Sequence, residues 1–209
     1  MFGVLVCGDS ISHGRGEMPS VGWAGRLKNY FEKQGFNNCL FNLGVPGDTS
    51  GMLLKRFETE VKSRVKYIYP IDKFIIIIAV GNNDLECIGS PNNMVTKPTV
   101  FQKNIIKLIR TAKKHTKNVV IIGLTPVNED MSNPFEDRKY FTNNRVQEYD
   151  QILKESAKQE NILFLDIFNK LIKKKYKKLL ADGLHPNSKG YEEMWKIIKR
   201  SMIRKKLID

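Results

Sequence analysis

The chain has 209 residues, 41% hydrophobic and 27% charged, so a single domain over residues 1–209 with a sizeable core is expected and disorder is not. The longest apolar run, Phe74 to Val80, is far below the ~20 residues that span a bilayer, which excludes a membrane-spanning helix. Lys and Arg outnumber Asp and Glu by 35 to 22, a net charge of +13 that leaves a polyanion partner to be weighed.

Residues 2–7 are apolar, but no basic segment precedes them and Gly8-Asp9 follows at once, unlike a secretory signal. They read as a first strand. Further short apolar runs at 38–43, 73–80, 118–124 and 161–166 suit strands buried on both faces of a parallel sheet. Between the strands, helical periodicity covers 21–34, 50–66, 99–116, 138–159, a short 167–178, and 188–206. In the last, Tyr191, Met194, Trp195, Ile198 and Met202 form one apolar stripe with lysines opposite. Five successive βα units predict an α/β fold with parallel strands. The loops 81–98 and 125–137, after the third and fourth strands, are long and rich in Asn and Pro. Such loops, at the carboxyl ends of parallel strands, are where these folds place their sites.

Cys7, Cys39 and Cys87 are odd in number and widely spaced, which points to buried thiols in a reducing cytoplasm and to neither a disulfide framework nor a zinc site. The densest basic stretches, 170–178 and 196–206, interleave lysine with Leu, Ile, Met and Tyr as a solvated helix face does. No nucleic-acid-reading motif accompanies them, and no nucleic acid partner is expected.

The first βα junction, Gly8-Asp9-Ser10-Ile11-Ser12, presents a serine directly after a strand, the position of a nucleophile at a sheet edge. It is not the G-x-S-x-G elbow, which requires glycine at position 12, and no phosphate-binding glycine loop is present. A serine needs a base, and the chain holds three histidines. His13 has no orienting partner in its turn, and His115 lies among lysines at a helix end. His185 differs: Asp182, three residues earlier in Ala181-Asp182-Gly183-Leu184-His185-Pro186, can accept the Nδ1 proton and fix the tautomer. Donors for an oxyanion have two sources. Gly47, in Gly44-Val45-Pro46-Gly47-Asp48, lets a backbone N–H approach closely, and an amide of Gly81-Asn82-Asn83-Asp84 supplies a side-chain donor. Each motif also has a plain structural reading, as a capped helix start or an Asn-rich turn.

Gly8-Asp9-Ser10-Ile11, Gly47 within Asn42-x-Gly44-x-x-Gly47-Asp48, Asn83 within Gly81-x-Asn83-Asp84, and Asp182-x-x-His185-Pro186 together resemble the four ordered blocks of the SGNH, or GDSL-type, hydrolases. The one departure is Ile11 where the family motif has Leu, a change that keeps the apolar volume. The resemblance implies a flavodoxin-like three-layer α/β/α sandwich with a five-stranded parallel sheet in the order 2-1-3-4-5. It also implies ester hydrolysis through a serine acyl-enzyme, with no metal and no cofactor. By position, Ser10 is then the nucleophile, His185 the base and Asp182 its orienter, while the Ser10 N–H, Gly47 N–H and Asn83 amide form the oxyanion hole. Asp9 reads as a buried structural carboxylate, Trp23 as a core anchor, and His13 and Arg15 as candidate pocket residues.

The expected function is a serine esterase or acylhydrolase acting on a small, short-chain acyl ester. A carbohydrate O-deacetylase or a thioesterase would use the same site. The reading from another class is a non-enzymatic basic flavodoxin-like binding module, which has no need of all four blocks.

Overall fold

The computed structural model describes residues 2–66 and 73–208. In chain order its first half contains β1 (Phe2–Gly8), α1 (Ser10–His13), α2 (Gly22–Glu32), β2 (Cys39–Gly44), α3 (Ser50–Val65), β3 (Lys73–Ala79), β4 (Cys87–Ile88) and α4 (Pro98–Lys113). The second half adds β5 (Asn118–Ile122), α5 (Glu129–Ser132), β6 (Lys139–Tyr140), α6 (Asn143–Gln159), β7 (Leu163–Leu165), α7 (Phe168–Ile172) and α8 (Ser188–Arg204), with a 3₁₀ turn at Tyr176–Leu179.

Five strands form one parallel sheet in the order β2-β1-β3-β5-β7, which is 2-1-3-4-5 when only these strands are counted. Side chains alternate across the sheet, and both faces are apolar. Val4 and Val6 of β1 and Ile75 and Ile77 of β3 join one core with Trp23, Leu27 and Phe31 of α2 and Tyr191, Met194 and Ile198 of α8. Leu5, Cys7, Ile76 and Ile78 point the other way, into Leu53 and Phe57 of α3, Phe101 and Ile105 of α4, and Tyr149 and Leu153 of α6. Burying each such side chain stabilises the fold by roughly 1.5–3 kcal/mol, so a strand apolar on both faces has to lie between two helical layers. Trp23 is buried in the first of these cores.

Several expected elements differ in detail. The helix expected over 138–159 begins only at Asn143, because Thr142 is extended and its side chain caps the Arg145 N–H. Residues 139–140 pair antiparallel with 87–88 as a separate two-stranded ribbon, its strands joined through α4, β5 and α5. The segment 167–178 divides into α7, which ends at its C-cap Lys173, and the 3₁₀ turn, which Lys175 leads into. Of the lysines in the basic stretches, Lys174 pairs with Glu193, Lys177 with Asp130, and Lys196 with Glu192 and Glu193, as a solvated face allows.

Candidate active site

Ser10 is the first residue of α1, immediately past the end of β1, and is 6% exposed. Asp9 caps the helix by accepting the Ile11 N–H at 2.9 Å, and the His13 and Gly14 amides close the turn onto the Asp9 and Ser10 carbonyls. As the first helical residue, Ser10 has no intrahelical acceptor for its own N–H. Burial pushes the Asp9 carboxyl up to about 7, as suits a structural cap.

The turn before α8 brings the histidine to this serine from the far end of the chain. The Ser10 hydroxyl and His185 Nε2 lie 3.0 Å apart, and His185 Nδ1 lies 2.7 Å from Asp182 Oδ2. The other oxygen, Asp182 Oδ1, accepts the His185 and Leu184 backbone N–H groups at 2.7 and 3.0 Å. Burial raises the Asp182 carboxyl, but the His185 side-chain and backbone bonds outweigh it and hold the pKa at about 2. An ionised Asp182 accepts a hydrogen bond from Nδ1–H, which leaves Nε2 free to accept from the serine. The Ala181 N–H to His185 carbonyl bond at 2.8 Å closes the turn. Gly16 lies against it, with φ +96, and a Cβ there would come within 2.6 Å of the Pro186 carbonyl oxygen and 2.9 Å of His185 Cβ.

The loops after β2 and β3 complete the site. Gly47 has φ +86, and a Cβ on it would meet nothing within 4 Å. The glycine is there for its backbone conformation and leaves the cleft open. Asn83 Nδ2 donates to the Asp48 carbonyl at 2.9 Å, which orients the amide and leaves its second N–H for another acceptor. Asp84, fully buried, accepts from Ser50 N at 2.7 Å and Ser50 Oγ at 2.6 Å, and so ties the β3 loop to the start of α3. Burial pushes its pKa up to about 6. Ser10, Gly47, Asn83 and His185 line one cleft of about 200 Å³, with Pro46, Phe135, Phe141 and Leu184 as apolar surface and Arg15, Glu86, Glu136 and Lys139 as charged surface.

The chain matches the GDSL-like lipase/acylhydrolase family over residues 6–193. It belongs to that family. As a GDSL-like enzyme it is a carboxylic ester hydrolase. Esterase TesA of Pseudomonas aeruginosa is similar at 22% identity over 94% of this chain and 87% of that esterase. The fold is shared with a lipase/acylhydrolase from Enterococcus faecalis (TM-score 0.77, 22% identity, 97% of this chain and 95% of that one). It is shared also with the acetyl xylan esterase AlAXEase (TM-score 0.75, 19% identity, 95% and 98% covered).

Within this GDSL-like hydrolase, the expected site residues Ser10, Asp182 and His185 meet in one hydrogen-bonded chain, and Gly47 and Asn83 line the same cleft. Arg15 also lines it, whereas His13 is exposed and outside it, and His115 bonds Glu58 at 3.2 Å. Of the apolar residues in the loops 84–98 and 125–137, Phe135 reaches the cleft, while Met94, Val95 and Met131 are exposed away from it.

Arg56 was not legible as a site residue. Its guanidinium binds Asp48 Oδ2 at 2.8 Å and the Leu43 and Gly8 carbonyls at 2.9 and 3.1 Å, joining the ends of β1 and β2 to the Gly47 loop. The only sequence signal was a cation one position before the inward-facing Phe57 of α3. A larger groove of about 580 Å³ lies between Lys174, Lys178, Lys189 and Lys196 on the α8 side. It contains no histidine to act as a base for its one serine, Ser188, so its size does not make it the better candidate. Among the described residues no group of three or more His, Cys, Asp or Glu is arranged to hold a metal ion.

Proposed function

We propose that this protein hydrolyses short-chain acyl esters through an acyl-enzyme on Ser10, acting as one domain across residues 1–209. His185 Nε2 takes the hydroxyl proton as Ser10 Oγ attacks the ester carbonyl. Ionised Asp182 holds the ring and stabilises the imidazolium. The tetrahedral oxyanion is met by the Ser10 N–H, the Gly47 N–H and the free N–H of the Asn83 amide. His185 then returns the proton to the leaving alcohol, and a water activated by the same nitrogen hydrolyses the acyl-enzyme.

The supporting observation is the continuous chain from Ser10 Oγ to His185 to Asp182, at 3.0 and 2.7 Å, opening into a cleft. The small volume of that cleft supports a short acyl group, since ligand pockets for larger molecules occupy roughly 300–1,000 Å³. Its charged surface favours an alcohol half that is polar, so deacetylation of a carbohydrate is the second reading. The likeness to the fold of an acetyl xylan esterase is compatible with it. The buried thiols of Cys7 and Cys87 support a reducing, cytoplasmic setting. Labelling with a fluorophosphonate, followed by peptide mapping, tests the nucleophile. Modification at Ser10 that is lost in His185→Ala is the expected result, and modification at any other serine would overturn it.

A further inference from the structure

The wall of the cleft carries a carboxylate with nothing to hold it. Glu86 lies between Asn83 and β4, and its backbone carbonyl accepts the Val95 N–H at 3.0 Å. Its side chain lines the same cleft as Ser10 and His185. The residue is only 9% exposed, yet among the described residues no hydrogen bond or ion pair reaches its carboxylate. Burial pushes its pKa up, with Lys139 opposing the shift through space. Lys139, which lines the cleft too, pairs instead with Glu136 at 3.4 Å. Its oxygens open onto the cleft, so a bound ligand, in place of water, can supply the donors that the protein does not.

We propose that Glu86 is a specificity residue whose carboxylate accepts hydrogen bonds from hydroxyl groups on the alcohol half of the ester. The preferred substrate is then the short-chain ester of a sugar or other polyol, a conclusion that rests on the Ser10–His185 reading above. A short acyl group has no donor to offer, so the hydroxyls belong to the alcohol. A cationic substrate is a poorer fit, because Arg15 and Lys139 already balance Glu86 and Glu136 around the cleft. Hydroxyl groups suit both kinds of neighbour, donating to the carboxylates and accepting from the cations.

The test compares two acetates of similar size, monoacetylated xylose and cyclohexyl acetate, with purified full-length enzyme. The wild type should favour the sugar ester in kcat/KM. Glu86→Leu should lower that preference by roughly 10- to 100-fold, mainly through KM, the range for loss of a hydrogen bond to a charged group. Glu86→Gln should lower it less, because the amide oxygen still accepts. The melting temperature of Glu86→Leu should stay near that of the wild type, since no hydrogen bond or ion pair within the described residues is removed. A wild-type preference for cyclohexyl acetate would overturn the proposal. So would a Glu86→Leu preference within about threefold of wild type, a difference too small for such a bond. A markedly lower melting temperature would make the carboxylate structural and overturn it as well. Ser10→Ala serves as the separate control: persistent hydrolysis of both acetates there would overturn the nucleophile assignment, a result independent of the ratio.

Discussion

On the floor of the cleft, Ser10, Gly47 and Asn83 sit within a few residues of the carboxyl ends of β1, β2 and β3, and polar ties hold the Ser10 turn and the Asn83 amide. The wall is assembled differently. Phe135 and Lys139 flank a turn in which Glu136 and Asp137 take positive φ, and β4 and β6 contribute two residues each to the antiparallel ribbon beside it. From α6, Arg145 reaches the Pro91 carbonyl and Cys87 Sγ, and Tyr149 the Thr96 carbonyl, so the wall hangs on one helix. A floor set by strand ends keeps reacting groups in register, while a wall of short loops can change without disturbing them. The floor is therefore expected to govern rate and the wall to govern choice of ester.

The largest effect that would break this division is at the floor. Ser10→Ala should lower kcat by roughly 10⁴-fold or more with the circular dichroism spectrum unchanged, and His185→Ala should be nearly as damaging. His13→Ala and His115→Ala should leave turnover close to wild type, because neither side chain lines the cleft. A loss from His13→Ala equal to that from His185→Ala would remove the basis for the assignment. Next in size, Asn83→Ala should reduce kcat by about 10²–10³ with little change in KM, as expected for a donor that acts in the transition state. The variant also unpairs the Asp48 carbonyl, so its melting temperature is measured on the same sample. A lower melting temperature with kcat preserved would make Asn83 structural.

The wall should respond in preference. The Phe135 ring stands edge-on to His185 at 6.4 Å and to Phe141 at 5.9 Å, so Phe135→Ala enlarges the cleft beside His185. With each buried CH₂ worth ~0.8 kcal/mol, the ratio of hexanoyl to acetyl ester hydrolysis should rise several-fold. A p-nitrophenyl ester series reads that ratio, and a fall would place the acyl group against another surface.

The smallest effect concerns the helix that carries the wall, through pH. Asp150 accepts the Leu124 N–H at 2.8 Å, and burial pushes its carboxyl from an ordinary 3.8 to about 7. Between those values the folded state binds the extra proton, so this group's contribution to stability is lost as pH rises through the window. Asp182 has the opposite sign: held at about 2, its contribution is full above its ordinary value and lost as pH falls towards 2. Asp150→Asn keeps the accepting oxygen and removes the titration. Its stability relative to wild type, followed by urea unfolding from pH 4 to 7, should increase with pH. A constant difference would mean that Asp150 is already ionised across that range.

How much of this was readable in the chain varied with the length of the pattern. Runs such as Phe74 to Val80 announce a buried strand because seven apolar residues in a row suit no exposed element. The stripe Tyr191, Met194, Ile198, Met202 announces α8 for a similar reason. The pairing of Cys87–Ile88 with Lys139–Tyr140 was not visible, because two residues are too few to display a period of two. Arg56 was hidden too, since its partners Asp48, Leu43 and Gly8 come from three separate segments.

By themselves, the residues determined the strand and helix order, the family blocks and the candidate identities of Ser10, Asn83, Asp182 and His185, because local periodicity and short motifs are properties of adjacent positions. Only the tertiary structure decided that Ser10 and His185, 175 positions apart, come to 3.0 Å, and that Glu86 lines their cleft unpaired. Parallel pairing puts the ends of β1 and β3 side by side, and the Gly16 contact seats the His185 turn above them. Those distances depend on packing between segments remote in sequence, which no local pattern encodes.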